Sequence, residues 1–251
     1  MRFPMYVYVY DDFLQDRRYE RDISLIETRL TDLGITGNVI RLAFFRDAQQ
    51  VLHQEIRKGV KTIVAVGNDA TLEKVLNAVE ETRTVVGYIP ITPDNPFAEL
   101  LGVPQGAAAC DILSARLVED LDIGEVNGRK FLHEAIMDGT GCVVSCEDRY
   151  TLSVKRRTQF CFVNLSAEQP DIGVVSPTDG KITLVTRIAR LSLFGKKQDI
   201  GKVHVANMRV YAPKQVTLQA DGTKITAQEF SFKTLPGRLR VITGRERKFV
   251  V

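Results

Sequence analysis

Gly67-Asn68-Asp69-Ala70-Thr71 is the run of residues in this sequence best suited to chemistry, because turn-forming side chains there follow the apolar stretch Ile63-Val64-Ala65-Val66 directly. Glycine opens backbone conformations closed to other residues, and Asn and Asp hydrogen-bond nearby amides. A tight turn that feeds a helix leaves N–H groups pointing outward, and these suit an anion of phosphate size. An ordinary strand-to-helix loop uses the same residue types, so local sequence leaves both readings open. The pairs Asn127-Gly128, Asp179-Gly180 and Asp221-Gly222 are hairpin signals.

The elements that must position the turn flank it. Residues 63–66 form a short continuous apolar run, expected of a strand covered on both faces. Thr71 is placed to cap the next helix, in which Leu72, Val75, Leu76 and Val79 recur at helical spacing. Two β–α units precede it: a strand over 5–10 with a helix carrying Ile23, Ile26, Leu30 and Leu33, then a strand over 38–42 with a helix over 47–58 closed by Gly59. A fourth strand over 85–89 ends at Pro90. Alternation of this kind implies a parallel sheet that binds ligands beyond the carboxyl ends of its strands, where residues 67–71 fall.

After Pro90 the chain passes through the proline-punctuated loop 91–104 and a connecting helix over 106–117. From Val118 onward it reads as strands: 121–126, 131–137, 150–154, 160–165, 182–188, 203–211, 216–220, 229–233 and 239–242. The expected organisation is a Rossmann-like parallel α/β domain over 1–105 and an antiparallel β-sandwich domain over 106–251.

Composition narrows the function classes. With 44% hydrophobic and 26% charged residues the chain has ample material for a core, and a net charge of +3 is too weak to imply a nucleic-acid partner. Cys110, Cys142, Cys146 and Cys161 lack C-x-x-C spacing, and His53, His133 and His204 lie far apart, which argues against a zinc site. Cys142 and Cys146 read as small buried residues. The apolar run at 6–10 soon meets Asp11 and Asp12, unlike a signal peptide, and no run is long enough to span a bilayer. The expected location is cytoplasmic, with reduced thiols.

The order of strand, Gly67-Asn68-Asp69-Ala70-Thr71, helix and Pro90, then Asn95, Phe97, Ala98, Leu101, Gly102 and Pro104, then an all-β half resembles the diacylglycerol kinase catalytic-domain family of lipid kinases. That family includes the bacterial lipid kinases and the sphingosine and ceramide kinases, and the resemblance spans almost the whole chain. Its turn reads G-G-D-G-T and its later loop P-x-G-T-x-N-D-F-A. The run Asp122-Ile123-Gly124-Glu125-Val126-Asn127-Gly128-Arg129-Lys130-Phe131 resembles the first strands of the family's β domain. Asp221-Gly222-Thr223 stands at its D-G-E, followed by Pro236-Gly237-Arg238-Leu239-Arg240-Val241. The chain departs from the pattern at Asn68, Ala70, Thr92, Pro93, Pro96 and Thr223, and has Tyr10-Asp11-Asp12-Phe13-Leu14 in place of N-P-x-S-G.

The resemblance implies an NAD kinase/diacylglycerol kinase-like fold and an ATP-dependent lipid kinase that uses Mg2+. Gly67, Asn68, Asp69, Thr71 and Asn95 would then bind the nucleotide, with Asp69 toward magnesium and Asp221 as the general base on a lipid hydroxyl. Each has a plainer alternative: Asp69 as a helix cap, Asn95 as the lock of its own loop by an Asx-turn, and Asp221 as a hairpin residue. Asp179, with Asp171, stands where some bacterial members hold a structural magnesium. The lipid substrate would be met at a membrane surface, where Arg187, Arg190, Lys196, Lys197 and Lys202, interleaved with Ile188, Leu191, Leu193 and Phe194, form a basic and apolar stretch. Two other readings stay open: a catalytically inactive relative that binds a lipid, nucleotide or protein, and an NAD kinase-like enzyme. A homodimer is neither required nor excluded.

Overall fold

A computed structural model of the chain describes residues 5–42, 48–79, 83–169, 173–192 and 195–249. It divides into two compact units. The first runs to Asp120, past the expected boundary, and takes back Arg238–Lys248; the second comprises Leu121–Gly237 and the last residues.

The first unit is built from β1 (Tyr6–Tyr10), α1 (Glu20–Asp32), β2 (Asn38–Arg41), α2 (Ala48–Arg57), β3 (Thr62–Gly67), α3 (Asp69–Ala78), β4 (Val85–Pro90), α4 (Pro96–Leu101) and α5 (Ala109–Ala115). Its strands are parallel in the order β2, β1, β3, β4, and Arg240 and Val241 add to the far edge beside Val85 and Val86. Every residue of β1, β3 and β4 is buried, as the unbroken apolar run at 63–66 predicts. Ile26, Leu30, Leu52, Leu72 and Val75 supply the helical side of the core. Asp47 and Phe44 lie outside the described residues, and α2 is described from Ala48.

The second unit contains β5 (Val118–Val126), which enters it from the first, then β6 (Arg129–Phe131), β7 (Glu134–Gly139), β8 (Cys142–Cys146), β9 (Tyr150–Val154), β10 (Thr158–Val163), β11 (Ser166–Gln169), β12 (Gly173–Val175), β13 (Ile182–Ser192), β14 (Gly195–Val205), β15 (Asn207–Ala220) and β16 (Thr223–Ile242). The pairings among β7, β8, β9, β10, β13, β14, β15 and β16 within it are antiparallel. This is the expected parallel α/β region with an antiparallel β-sandwich. Met208, Val210 and Ala212 alternate inward along β15, and Phe162 stacks on Phe232 with ring centroids 3.8 Å apart.

Two expected strands are each two strands. The run 131–137 breaks after Phe131, because the N–H groups of Leu132 and His133 turn to the Asp221 carboxylate. The run 203–211 breaks at Ala206, whose N–H donates to Glu147 Oε1 at 2.9 Å while its carbonyl accepts from Thr234 N. Strand β8 went unread in the sequence because it is short and carries Ser and Cys. All four cysteines are free and buried.

Candidate functional site

The turn after β3 is closed by its own side chains. Asn68, rather than Thr71, is the N-cap of α3: its Oδ1 accepts from Thr71 N at 3.0 Å, and Thr71 Oγ1 accepts from Asn68 N at 3.1 Å. The Thr71 hydroxyl in turn donates to Asp11 Oδ2 at 2.8 Å, the same oxygen that meets Lys74 Nζ at 2.8 Å. Burial pushes the Asp11 carboxyl up, but the bonds from Lys74 and Thr71 outweigh it and hold the group below its ordinary range. Gly67 is required by close approach, since a Cβ there would run into the Thr71 side chain.

Asp69 caps a helix, but not its own. Its Oδ2 accepts from Phe97 N at 3.0 Å, near the start of α4, and its Oδ1 from the Tyr88 hydroxyl at 2.9 Å. Burial, then Asp69, hold Tyr88 far above its ordinary range. Asn95 answers across the gap: its Oδ1 accepts from Asp69 N at 3.2 Å while its amide donates to the Thr92 carbonyl. It therefore locks its own loop and also ties that loop to the turn. Asn95 is 8% exposed.

The structure thus brings Gly67, Asn68, Asp69, Thr71 and Asn95 into one cluster of the first unit. Phosphates held by such a turn use its N–H groups. Here the N–H groups of Asn68, Asp69 and Thr71 already donate to protein oxygens, and Pro93 and Pro96 have none to give. The arrangement does not fit a phosphate cradle.

Asp221 lies in the second unit, in the turn between β15 and β16 with φ 43°. Its carboxylate accepts from Leu132 N at 2.7 Å, His133 N at 3.2 Å and Glu134 N at 3.0 Å, and its own N–H donates to the Glu134 carbonyl at 2.9 Å. Burial pushes its carboxyl up to about 6, against the opposing pull of the Leu132 and Glu134 amides and of His133. Three consecutive amides thus hold a carboxylate that ionises near neutrality. Beside it lies a cavity of about 540 Å3 lined by Ile136, Met137 and Val216 and by the charged or polar groups His133, Glu134, Asp138 and Lys224.

Asp179 closes its own turn, with Oδ1 accepting from Lys181 N at 2.9 Å. Among the described residues no group of three or more His, Cys, Asp or Glu is placed to hold a metal, and Asp171 lies outside them. Nearby Asp122, 2% exposed, joins two turns by accepting from Gly180 N at 2.7 Å and Gly237 N at 2.8 Å. Sequence reading gave Asp122 no role of its own. A carboxylate at the apolar centre of a strand was the signal.

In the basic stretch, Arg187 is half-buried and points its guanidinium at Cys161 Sγ and Gln159 Oε1, so it serves the sheet rather than a surface. The side chains of Arg190, Leu191, Lys196 and Lys197, and residues Leu193 and Phe194 altogether, lie outside the described residues. Among the described residues, no helix is long and apolar enough to cross a membrane.

Comparison with known proteins bears on the whole chain. Residues 12–126 match the model of the diacylglycerol kinase catalytic domain. A Pseudomonas aeruginosa protein described as "Probable lipid kinase YegS-like" is 34% identical over 91 residues, a match spanning 36% of this chain and only 30% of that protein. A Salmonella arizonae protein described as "Probable lipid kinase YegS" is 24% identical over 85% of this chain and 88% of its own. The crystal structure of a diacylglycerol kinase from Bacillus anthracis superposes with a TM-score of 0.80 over 98% of this chain and 99% of the other, at 15% identity, which establishes a shared fold.

Proposed function

Taking the chain as a divergent member of the diacylglycerol kinase catalytic-domain family, we propose that it is an ATP-dependent lipid kinase whose acceptor is a lipid hydroxyl, with Asp221 as the general base. The observation that carries the reading is the Asp221 carboxylate, fixed by three backbone N–H groups at the wall of a cavity and ionising at about 6. A base is most effective when its pKa lies close to the working pH, where it is ionised yet still basic. An acceptor hydroxyl in the cavity would give its proton to Asp221, on a lining where the ammonium of Lys224 stands with the carboxylates of Glu134 and Asp138. Ile136, Met137 and Val216 offer apolar surface to the carbon skeleton beside the hydroxyl. Mg-ATP supplies the phosphoryl group in such a reaction.

A second reading, a lipid-binding relative without transferase activity, is favoured by one observation: the N–H groups of Asn68, Asp69 and Thr71 are already occupied. Incubation of the full chain with γ-labelled ATP, Mg2+ and vesicles carrying diacylglycerol, monoacylglycerol, ceramide or sphingosine, with NAD as a further acceptor, separates the readings. The kinase reading expects label in one lipid extract. Vesicle binding without transfer, and without a nucleotide-dependent rise in melting temperature, would leave the second reading standing. Label in NAD alone would place the chain with the NAD kinases.

A further inference from the structure

The amides that converge on Asp221 are themselves held from behind. Asn164 follows β10, whose Val163 pairs with Glu134 at the start of β7, and this register sets it against residues 132–133. It is completely buried. Its Nδ2 donates to the Leu132 carbonyl at 2.8 Å and to the Asp122 carbonyl at 3.0 Å. Two carbonyls on one side can be answered only by a donor, so the nitrogen of the amide, not its oxygen, faces them. The backbone N–H of Asn164 donates to the His133 carbonyl at 2.9 Å, which also accepts from Leu165 N at 3.1 Å.

Each of the carbonyls of Leu132 and His133 belongs to a peptide group that serves Asp221 with its other end. The Leu132 carbonyl shares its peptide with the His133 N–H, and the His133 carbonyl with the Glu134 N–H. Both N–H groups donate to Asp221 Oδ1, at 3.2 Å and 3.0 Å. A peptide that accepts a bond at its oxygen is polarised and becomes a stronger donor at its N–H. Because the peptide is planar, a bond that fixes its oxygen also fixes the direction of its N–H. Asn164 thus stands at the head of two relays that end on one carboxylate oxygen. Its own Oδ1 is buried and has no partner among the described residues. An apolar side chain of similar shape would avoid that cost, so what the position gains from an amide lies on the Nδ2 side.

We propose that Asn164 is a positioning residue for Asp221, aligning and polarising from behind the peptide groups whose N–H bonds hold its carboxylate. Asn164 bears on phosphoryl transfer only through Asp221 as the base, and so rests there on the function proposed above; its hold on the carboxylate is measurable without any transfer.

Carbon-13 NMR of the full chain follows the Asp221 carboxyl through pH, its resonance assigned by its loss in Asp221→Asn. The other titratable groups on the cavity lining, His133, Glu134, Asp138 and Lys224, are the same in every variant compared. Asn164→Ala keeps the backbone bonds to the His133 carbonyl and takes away the Nδ2 bond to Leu132. The ionised carboxylate is then held less firmly, so Asp221 should bind its proton about threefold or more tightly and titrate above its parent midpoint. The amide proton of His133 should move upfield while that of Glu134 stays. Asn164→Leu removes the same bond while filling the site, and should give the same rise if the alanine variant does not fold. Val144→Ala is a buried truncation in β8, which meets β15 at Val210 rather than near Asp221, and should destabilise the chain without moving the midpoint. An unmoved midpoint in a folded Asn164 variant, or an equal rise in Val144→Ala, would overturn the assignment. If the parent labels a lipid, the acid limb of its pH–rate profile should move up in Asn164→Ala by the same factor, with KM for the lipid unchanged. A midpoint that moves while the acid limb stays would count against Asp221 as the base and leave Asn164 in place as its support.

Discussion

The two acidic turns place the same parts to opposite ends. At residues 67–71 the turn's N–H groups are occupied by neutral side chains, Asn68, Thr71 and Asn95, while the Asp69 carboxylate is occupied by donors from Tyr88 and α4. At Asp221, three consecutive amides converge on one carboxylate at a cavity wall. The first arrangement consumes its polar groups in closing the fold; the second concentrates them on a charge that faces a cavity. In the second turn burial raises the carboxyl to about 6 beside a cavity.

The largest effect should come from Asp221. If it is the base, Asp221→Asn lowers phosphoryl transfer by about 10²–10⁴-fold, the usual range for loss of a general base, with near-UV circular dichroism unchanged. Undiminished transfer in a folded variant would remove Asp221 from the reaction and leave the two turns alike in being structural.

Breaking the first turn should instead cost stability. Asn95→Ala leaves the Asp69 N–H and the Thr92 carbonyl without their side-chain partner inside a buried cluster, which destabilises by about 1–3 kcal/mol. Urea denaturation measures it, and a loss within error would mean the two loops are not held by this bond. Replacing Asn68 and Ala70 together by glycine removes the side-chain cap acceptor, at a cost of a few tenths of a kcal/mol, and gives the turn the backbone freedom of glycine, while the carbonyl of residue 68 keeps its 2.9 Å bond from Thr71 N. The doubly substituted protein should then show a larger rise in melting temperature with Mg-ATP than the parent does. An equal response would show that something other than the backbone freedom of this turn governs nucleotide binding.

Much of the frame was legible in the sequence because it depends on local pattern. The run 63–66 announced a buried strand, the spacing of Leu72 and Val75 a helix face, and Asp221-Gly222 a hairpin turn. What was not legible depends on partners far apart in the chain. Asp69 and Asn95 are 26 residues apart, and Asp221 and Leu132 are 89 apart, so no window along the sequence contains either bond. For the same reason the alternative to a magnesium-side role for Asp69 was a cap on its own helix, and residues 131–137 read as one strand. Asn68 and Ala70 were visible as departures from a glycine pattern. That Asn68 closes a capping box required the geometry of Thr71.

The comparison also has an opposite sign in pH on its two sides. Asp221 has a folded value of about 6, raised from an ordinary 3.8, so the native state binds its proton more tightly than the unfolded chain does. Its contribution to stability is therefore fully present below the ordinary value and is lost as pH rises from about 4 through about 6. Asp11 is shifted the other way by Lys74 and Thr71, so its contribution is present above 3.8 and is lost as pH falls. Subtracting the urea-midpoint profile of Asp221→Asn from that of the parent isolates the first effect. The difference should decline between pH 4 and pH 6 and then level. If Asp221 is the base, transfer activity should rise over the same interval, and stability and activity would then trade against each other at one carboxylate. A flat difference profile would mean that the three amides offset the burial of Asp221 completely, and its turn would then match the first in holding an acid with no call on the proton.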